Sequence, residues 1–191
     1  RVLGRALRDL GQLTGADRST LMVTRLDAQT IDVVSGWQNR DRSLPDSVFA
    51  ATRGVPWRQF PWTINELRAG RTVRLDDIND VPPDGEQDRT SWELDGSRAN
   101  LIVPIDVDET TLGAVVLSRL QPRPWSDRHV HQVRLLAALM QPVLQRFSRI
   151  AREQDDAEHE RHLLAATLEL VANLSHDLKT PLHAIAGYAG L

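Results

Sequence analysis

The stretch Asn173-Leu174-Ser175-His176-Asp177-Leu178-Lys179-Thr180-Pro181-Leu182 sets an imidazole, a carboxylate and a hydroxyl close together. Imidazole is the side chain that is substantially neutral, and so nucleophilic, near pH 7. One ring nitrogen of His176 can therefore attack an electrophile while a hydrogen bond holds the other. Thr180 stands four positions beyond His176, on the same face if the segment is helical. Pro181 lacks a backbone donor and loosens such a helix just past the site. The competing reading of His176 is an ordinary exposed helical histidine. His183, seven positions on, reads as a bystander. His129-x-His131 points in two directions on a helix, which makes a poor metal pair. His159 and His162 share a face but lie in a charged run, where a solvated pair is favoured over a zinc site. No metal is expected. The sequence contains no cysteine, which removes disulfide frameworks, thiolate zinc sites and thioether-linked cofactors.

The element that must carry His176 is a long helix. Leu136, Met140, Val143, Phe147, Ile150, Gln154, Ala157, Arg161, Leu164, Leu168 and Val171 alternate steps of four and three, the seam of a two-stranded coiled coil. On that heptad Ser175 falls on the seam and His176 one step off it, facing solvent. A parallel homodimer is the simplest way to bury the seam. Gln154, Ala157 and Arg161 are poor seam residues within the charged stretch 152–160. That stretch is either a solvated helical face or a weakened segment able to shift between two packings. Pro142 should bend or break the helix. Ser126 and Asp127 offer N-cap oxygens at its start.

Upstream lies a domain-sized region. Val2, Leu3, Ala6, Leu7, Leu10 and Leu13 have helical spacing. Ser19–Leu26 and Thr30–Trp37 read as a hairpin. The pattern breaks between Gln38 and Phe60, with one short helix at Asp46–Thr52. Pro61–Arg68 reads as a helix with proline near its start and Gly70 after its end. Arg71–Leu75 reads as a strand, and the acidic, proline-bearing Asp76–Arg89 as a lid-like loop. A short helix at Arg89–Leu94, a second hairpin of Ala99–Val107 and Thr111–Leu120, and the stiff connector 121–125 complete it. The order predicts an α+β domain, an antiparallel sheet with helices on one side.

The net charge of -3 offers no basic field for nucleic acid, and no apolar run reaches membrane-spanning length. The chain opens at Arg1 and stops at Leu191 within an apolar helical pattern, so it is expected to be a piece of a longer protein. A cytoplasmic location is expected, with any membrane anchor outside this sequence.

Two resemblances follow from these residues. Phe60-Pro61-Trp62, Leu67, Gly70, Arg71-Thr72-Val73, Asp77-Ile78, Val81-Pro82, Gly96-Ser97, 101–105 and 112–115 together resemble a GAF domain, over about residues 1–148. The stretch 173–182 resembles the histidine box of a HisKA dimerisation and phosphotransfer domain. The domains expected are a GAF-like sensor at 1–148, a coiled-coil signalling linker at 149–165, and the start of the HisKA phosphoacceptor helix at 166–191. A helical-hairpin phosphotransfer domain would continue from there. The resemblance implies a sensor histidine kinase. His176 would be the phosphoacceptor, Asp177 the orienter and general base, and Thr180 the residue that positions water for dephosphorylating the response regulator. ATP and magnesium would come with a domain beyond this sequence, so the fragment alone should be inactive. The implied partners are a second copy of the chain and a response regulator. The alternative is a GAF-containing dimeric scaffold whose histidine box carries no phosphate.

The ligand of such a sensor is open. Without cysteine, a covalently held bilin is excluded. The signature of cyclic-nucleotide GAF domains is not evident, and no histidine precedes His129 to hold haem. Trp37, Trp57, Trp62 and Trp92 could line an apolar pocket, with Arg53 or Arg58 for an anionic group. Tryptophans serving only as core, in a domain without ligand, fit equally well.

Overall fold

The computed structural model describes residues 2–25, 28–39, 54–108, 111–146 and 148–149. The opening apolar periodicity forms helix α1, Val2–Thr14, which turns Leu7 and Leu10 inward. Strands β1 (Arg18–Arg25) and β2 (Thr30–Gln38) make the first hairpin, with a register shift at Leu21/Met22. Strand β3 (Val55–Pro56) and a 3-10 turn at Trp57–Gln59 follow, in the region read as irregular. Helix α2 is Pro61–Arg68. Proline opens it and Gly70, at φ 71°, lets the chain turn away after it, as expected of a residue without Cβ. Strand β4 is short, Val73–Leu75. Helix α3 (Glu86–Leu94) leads to the second hairpin, β5 (Ala99–Asp108) and β6 (Thr111–Arg119). Helix α4 spans 127–146.

The six strands form one antiparallel sheet in the order β3-β2-β1-β6-β5-β4. The two hairpins meet at β1 and β6, which pair along their length from Arg18↔Ser118 to Arg25↔Thr111. Because strand side chains alternate faces, β5 serves two cores. Leu101, Val103, Ile105 and Val107 join Leu7 and Leu10 of α1 and Val133, Ala137 and Leu144 of α4 on one face. Ile102 joins Leu67 of α2 and Trp92 of α3 on the other. The expectation of helices on one side is thus corrected. The prolines and acidic residues of 76–94 masked an apolar set, Ile78 and Trp92, that needs the second face.

The same residues correct the lid. Within Asp76–Arg89 lie two 3-10 turns, Ile78–Asp80 and Pro83–Gly85, and the first turn of α3. Ile78 and Asp88 are fully buried there, so this segment is packed structure. Pro142 does not break α4, which runs through it to residue 146. The seam is also corrected at its start. Leu136 and Met140 pack on the domain core, whereas Leu135, Leu139 and Val143 are 55%, 68% and 45% exposed. The chain divides into a compact unit, Arg1–Arg146, and a second, Phe147–Leu191. The helix expected at Asp46–Thr52, the seam beyond 146 and the histidine box lie outside the described residues. Among the described residues, no helix is long and apolar enough to cross a membrane.

Candidate functional site

The face of the sheet under α2 and α3 is not filled. Between them lies a cavity of about 530 Å³, a size that suits small organic ligands. Its floor comes from side chains of one parity on each strand: Arg18, Thr20 and Met22 from β1, Val116 and Ser118 from β6, and Ile102 from β5. Ile31 and Val33 of β2 and Val55 of β3 close one side. Ile64 and Leu67 of α2 and Trp92 of α3 cover it.

Aromatic contacts and one carboxylate hold the cover. Trp92 lies 6.3 Å from Phe60 and meets Trp62 edge-on at 6.5 Å. The Asp88 carboxylate of α3 accepts the Thr63 N–H at 2.8 Å and the Trp62 N–H at 3.2 Å. These are first-turn donors of α2, whose N-cap residue, Phe60, has no side-chain oxygen to offer. Burial pushes the Asp88 pKa above its ordinary value, and the hydrogen bonds from Thr63 and Trp62 pull it back down.

Polar groups gather at one end of the cavity. The Arg18 side chain is 3% exposed. Its Nη2 donates to the Asp95 carbonyl and lies 3.7 Å from the Asp95 carboxylate, while its Nε has no partner. Burial lowers its pKa, and Asp95 and then Asp17 oppose that shift. Arg18 opposes Ser118 in the sheet register, and Ser118 opposes Asn100. Asn100, outside the cavity lining, is 1% exposed, with neither amide atom hydrogen-bonded.

Of the four tryptophans expected to line a pocket, Trp92 does so. Trp37 packs with the α1–α4 core, Trp62 supports Trp92 from the side, and the Trp57 ring lies 6.0 Å from the Arg68 guanidinium. Arg58 does not line the cavity; its carbonyl accepts from Gln87. Arg53 lies outside the described residues, as do His176, Asp177 and Thr180. The arginine at the cavity is Arg18, which the sequence reading missed. A strand-initial arginine usually faces water, and this one is covered because the end of α3 brings Asp95 over it.

Residues 1–141 match the family model of the GAF domain. This chain belongs to the GAF domain family. Residues 166–191, which include His176, match the His Kinase A (phospho-acceptor) domain. A GAF domain followed by the start of a phospho-acceptor domain is the build of a two-component sensor histidine kinase. Solved GAF domains share the fold. The photoproduct state of GAF3 from Slr1393 of Synechocystis sp. PCC6803 is 18% identical with a TM-score of 0.60, covering 80% of this chain and 97% of that one. The phycocyanobilin-bound GAF domain of a cyanobacterial phytochrome is 15% identical with a TM-score of 0.61, covering 76% and 83%. A domain assigned to a two-component sensor histidine kinase of Sinorhizobium meliloti 1021 is 19% identical with a TM-score of 0.56, covering 80% and 95%. No curated protein matches the chain.

Proposed function

We propose that this chain is the sensor and phosphoacceptor portion of a histidine kinase, in which the GAF domain controls ATP-dependent phosphorylation of His176. The observation that carries the reading is the order of two family matches on one chain, GAF at 1–141 and phospho-acceptor at 166–191, with His176 inside the second. A ring nitrogen of neutral His176 attacks the γ-phosphorus of ATP, a nitrogen–phosphorus bond forms, and the bond to the ADP oxygen breaks. Asp177 holds the opposite ring nitrogen and takes its proton, the logic of a nucleophile oriented by a neighbouring base. The phosphoryl group then passes to a carboxylate of a response regulator, and Thr180 positions water for its later removal. ATP and magnesium are bound by a domain beyond this sequence. The chain works as a homodimer, and the exposed apolar stripe Leu135–Leu139–Val143 on α4 supports that reading.

The cavity under α2 and α3 is the place for a signal molecule. One of the similar domains is bound to phycocyanobilin, but this chain has no cysteine for a thioether link. Its ligand is held non-covalently. The experiment is phosphorylation of the full-length protein with ATP and magnesium. An acid-labile, base-stable label on His176 that disappears in His176→Gln is expected. A full-length protein that takes no label, or one that keeps it in His176→Gln, overturns the kinase assignment and leaves a dimeric scaffold.

A further inference from the structure

We infer that the cavity takes a small organic acid, with its carboxylate turned to Arg18 and its apolar body lying along Met22, Ile64 and Leu67. This deepens the proposed sensor role by naming its ligand class, and it rests on that role only for what binding then controls.

The cavity has two unlike ends. Met22, Ile31, Val33, Ile64 and Leu67 make one end uncharged and apolar. Arg18 and Ser118, directly opposed across β1 and β6, stand at the other end beside Asp95. There Arg18 Nε is buried without a hydrogen-bond partner. Native folds leave few such atoms unpaired, and this one belongs to a side chain that lines the cavity. That is the pattern of a site completed by what it binds.

The sign of the ligand follows from the donors. Arg18 Nε and the hydroxyls of Thr20 and Ser118, all on the cavity lining, can donate. A carboxylate only accepts, through two oxygens, and it matches the edge of a guanidinium. An ammonium group would meet the Arg18 cation. The carboxylate nearest to it, Asp95, already accepts the Ser97 N–H. The Asp95 carboxylate stands 3.7 Å from Arg18 Nη2, an ion pair without a hydrogen bond, so Arg18 Nε still lacks the acceptor that a second carboxylate would supply. Without cysteine the ligand is exchangeable, and the volume of about 530 Å³ suits a body larger than a simple metabolite acid.

The test is titration calorimetry on the 191-residue chain with 6-phenylhexanoate, 6-phenylhexanol and 6-phenylhexylammonium. The acid should bind at least tenfold tighter than the alcohol, and the amine should not bind. Arg18→Met should bring the acid to the affinity of the alcohol. Met22→Trp, which fills the apolar end, should weaken the acid and the alcohol alike by tenfold or more. Should Arg18→Met fail to fold, the ratio of acid to alcohol on the wild-type chain and the Met22→Trp result decide. Equal binding of acid and alcohol, preference for the amine, binding unchanged in Met22→Trp, or no binding at millimolar ligand would each overturn the inference. A full-length protein still labelled on His176 after such a failure would lose this ligand class and keep the kinase reading.

Discussion

Ser126 and His129 close the first turn of α4 on each other. The His129 N–H donates to Ser126 Oγ at 3.2 Å, and the Ser126 N–H donates to His129 Nδ1 at 3.1 Å. This is a capping box with imidazole in the place usually held by Glu or Gln. Nδ1 accepts only while the ring is neutral. Burial lowers the His129 pKa, and Arg119 and Arg123 add to the shift. A histidine whose folded pKa lies below its ordinary 6.5 binds fewer protons folded than unfolded. Stability from this group is therefore full above 6.5 and is lost as pH falls from there to the folded value. Urea unfolding should show wild type losing stability relative to His129→Gln across that window and nowhere above it. His129→Ala should cost about 1 kcal/mol at pH 7.5, through the lost cap. Asp88 runs the other way. Its raised pKa means that the buried charge opposes folding, so its contribution falls as pH rises from the ordinary 3.8 to the folded value. Wild type should thus weaken relative to Asp88→Asn as pH rises through that range. Asp88→Ala should cost about 1–2 kcal/mol, because two helix-start donors lose their acceptor.

Elements are joined by Arg119, at the end of β6. Its guanidinium donates to the carbonyls of Thr14 and Gly15, which end α1, and of Arg123 and Pro124 in the connector. It also lies 3.7 Å over the ring of Trp125, which is fully buried just before α4. Burial and then Arg123 lower its pKa to about 10, which leaves it charged at neutral pH. Arg119→Met keeps the bulk and removes every donor. It should cost about 2–3 kcal/mol, since the buried Thr14 carbonyl and three part-buried ones lose a charged partner at once. A thermal shift of only a degree or two would refute that role. Further along, α4 presses Leu144 onto Gly113, where an added Cβ would sit 2.5 Å from Leu144 Cδ1. That contact explains glycine inside a strand here. The opposite side of α4 carries Leu135, Leu139 and Val143 outward. Leu139→Lys should leave the domain folded and weaken the dimer in sedimentation equilibrium. An unchanged monomer–dimer equilibrium would move the interface elsewhere.

At the scale of the whole molecule, the proposed kinase role divides phosphate chemistry among His176, Asp177 and Thr180. Asp177→Asn in the full-length kinase should slow autophosphorylation by about 10²–10⁴-fold, the usual worth of a positioned base. Thr180→Ala leaves nucleophile and base in place. Labelling should persist while dephosphorylation of the response regulator falls. Equal loss of both activities in Thr180→Ala would indicate a damaged helix instead of lost water positioning.

The α1, α2 and hairpin boundaries were legible from local pattern alone, because the periods of Leu7 and Leu10, Pro61 with Gly70, and the two alternating strand pairs depend on neighbours in sequence. The histidine box was legible for a similar reason, as a contiguous run of residue types. What local pattern could not give was every feature made by distant residues. The pairing of β1 with β6 joins segments about ninety positions apart and sets Arg18 beside Ser118, and the end of α3, 77 positions on from Arg18, covers it with Asp95. The second helical layer depends on Ile78 and Trp92 packing on a sheet face whose existence no local period announces. The heptad start erred for the same reason. Leu136 and Leu135 are equally apolar in sequence, and only the docking of α4 on the sheet decides which of them is core and which is left exposed. Periodicity is set by the backbone, whereas the choice of face is set by what packs against it.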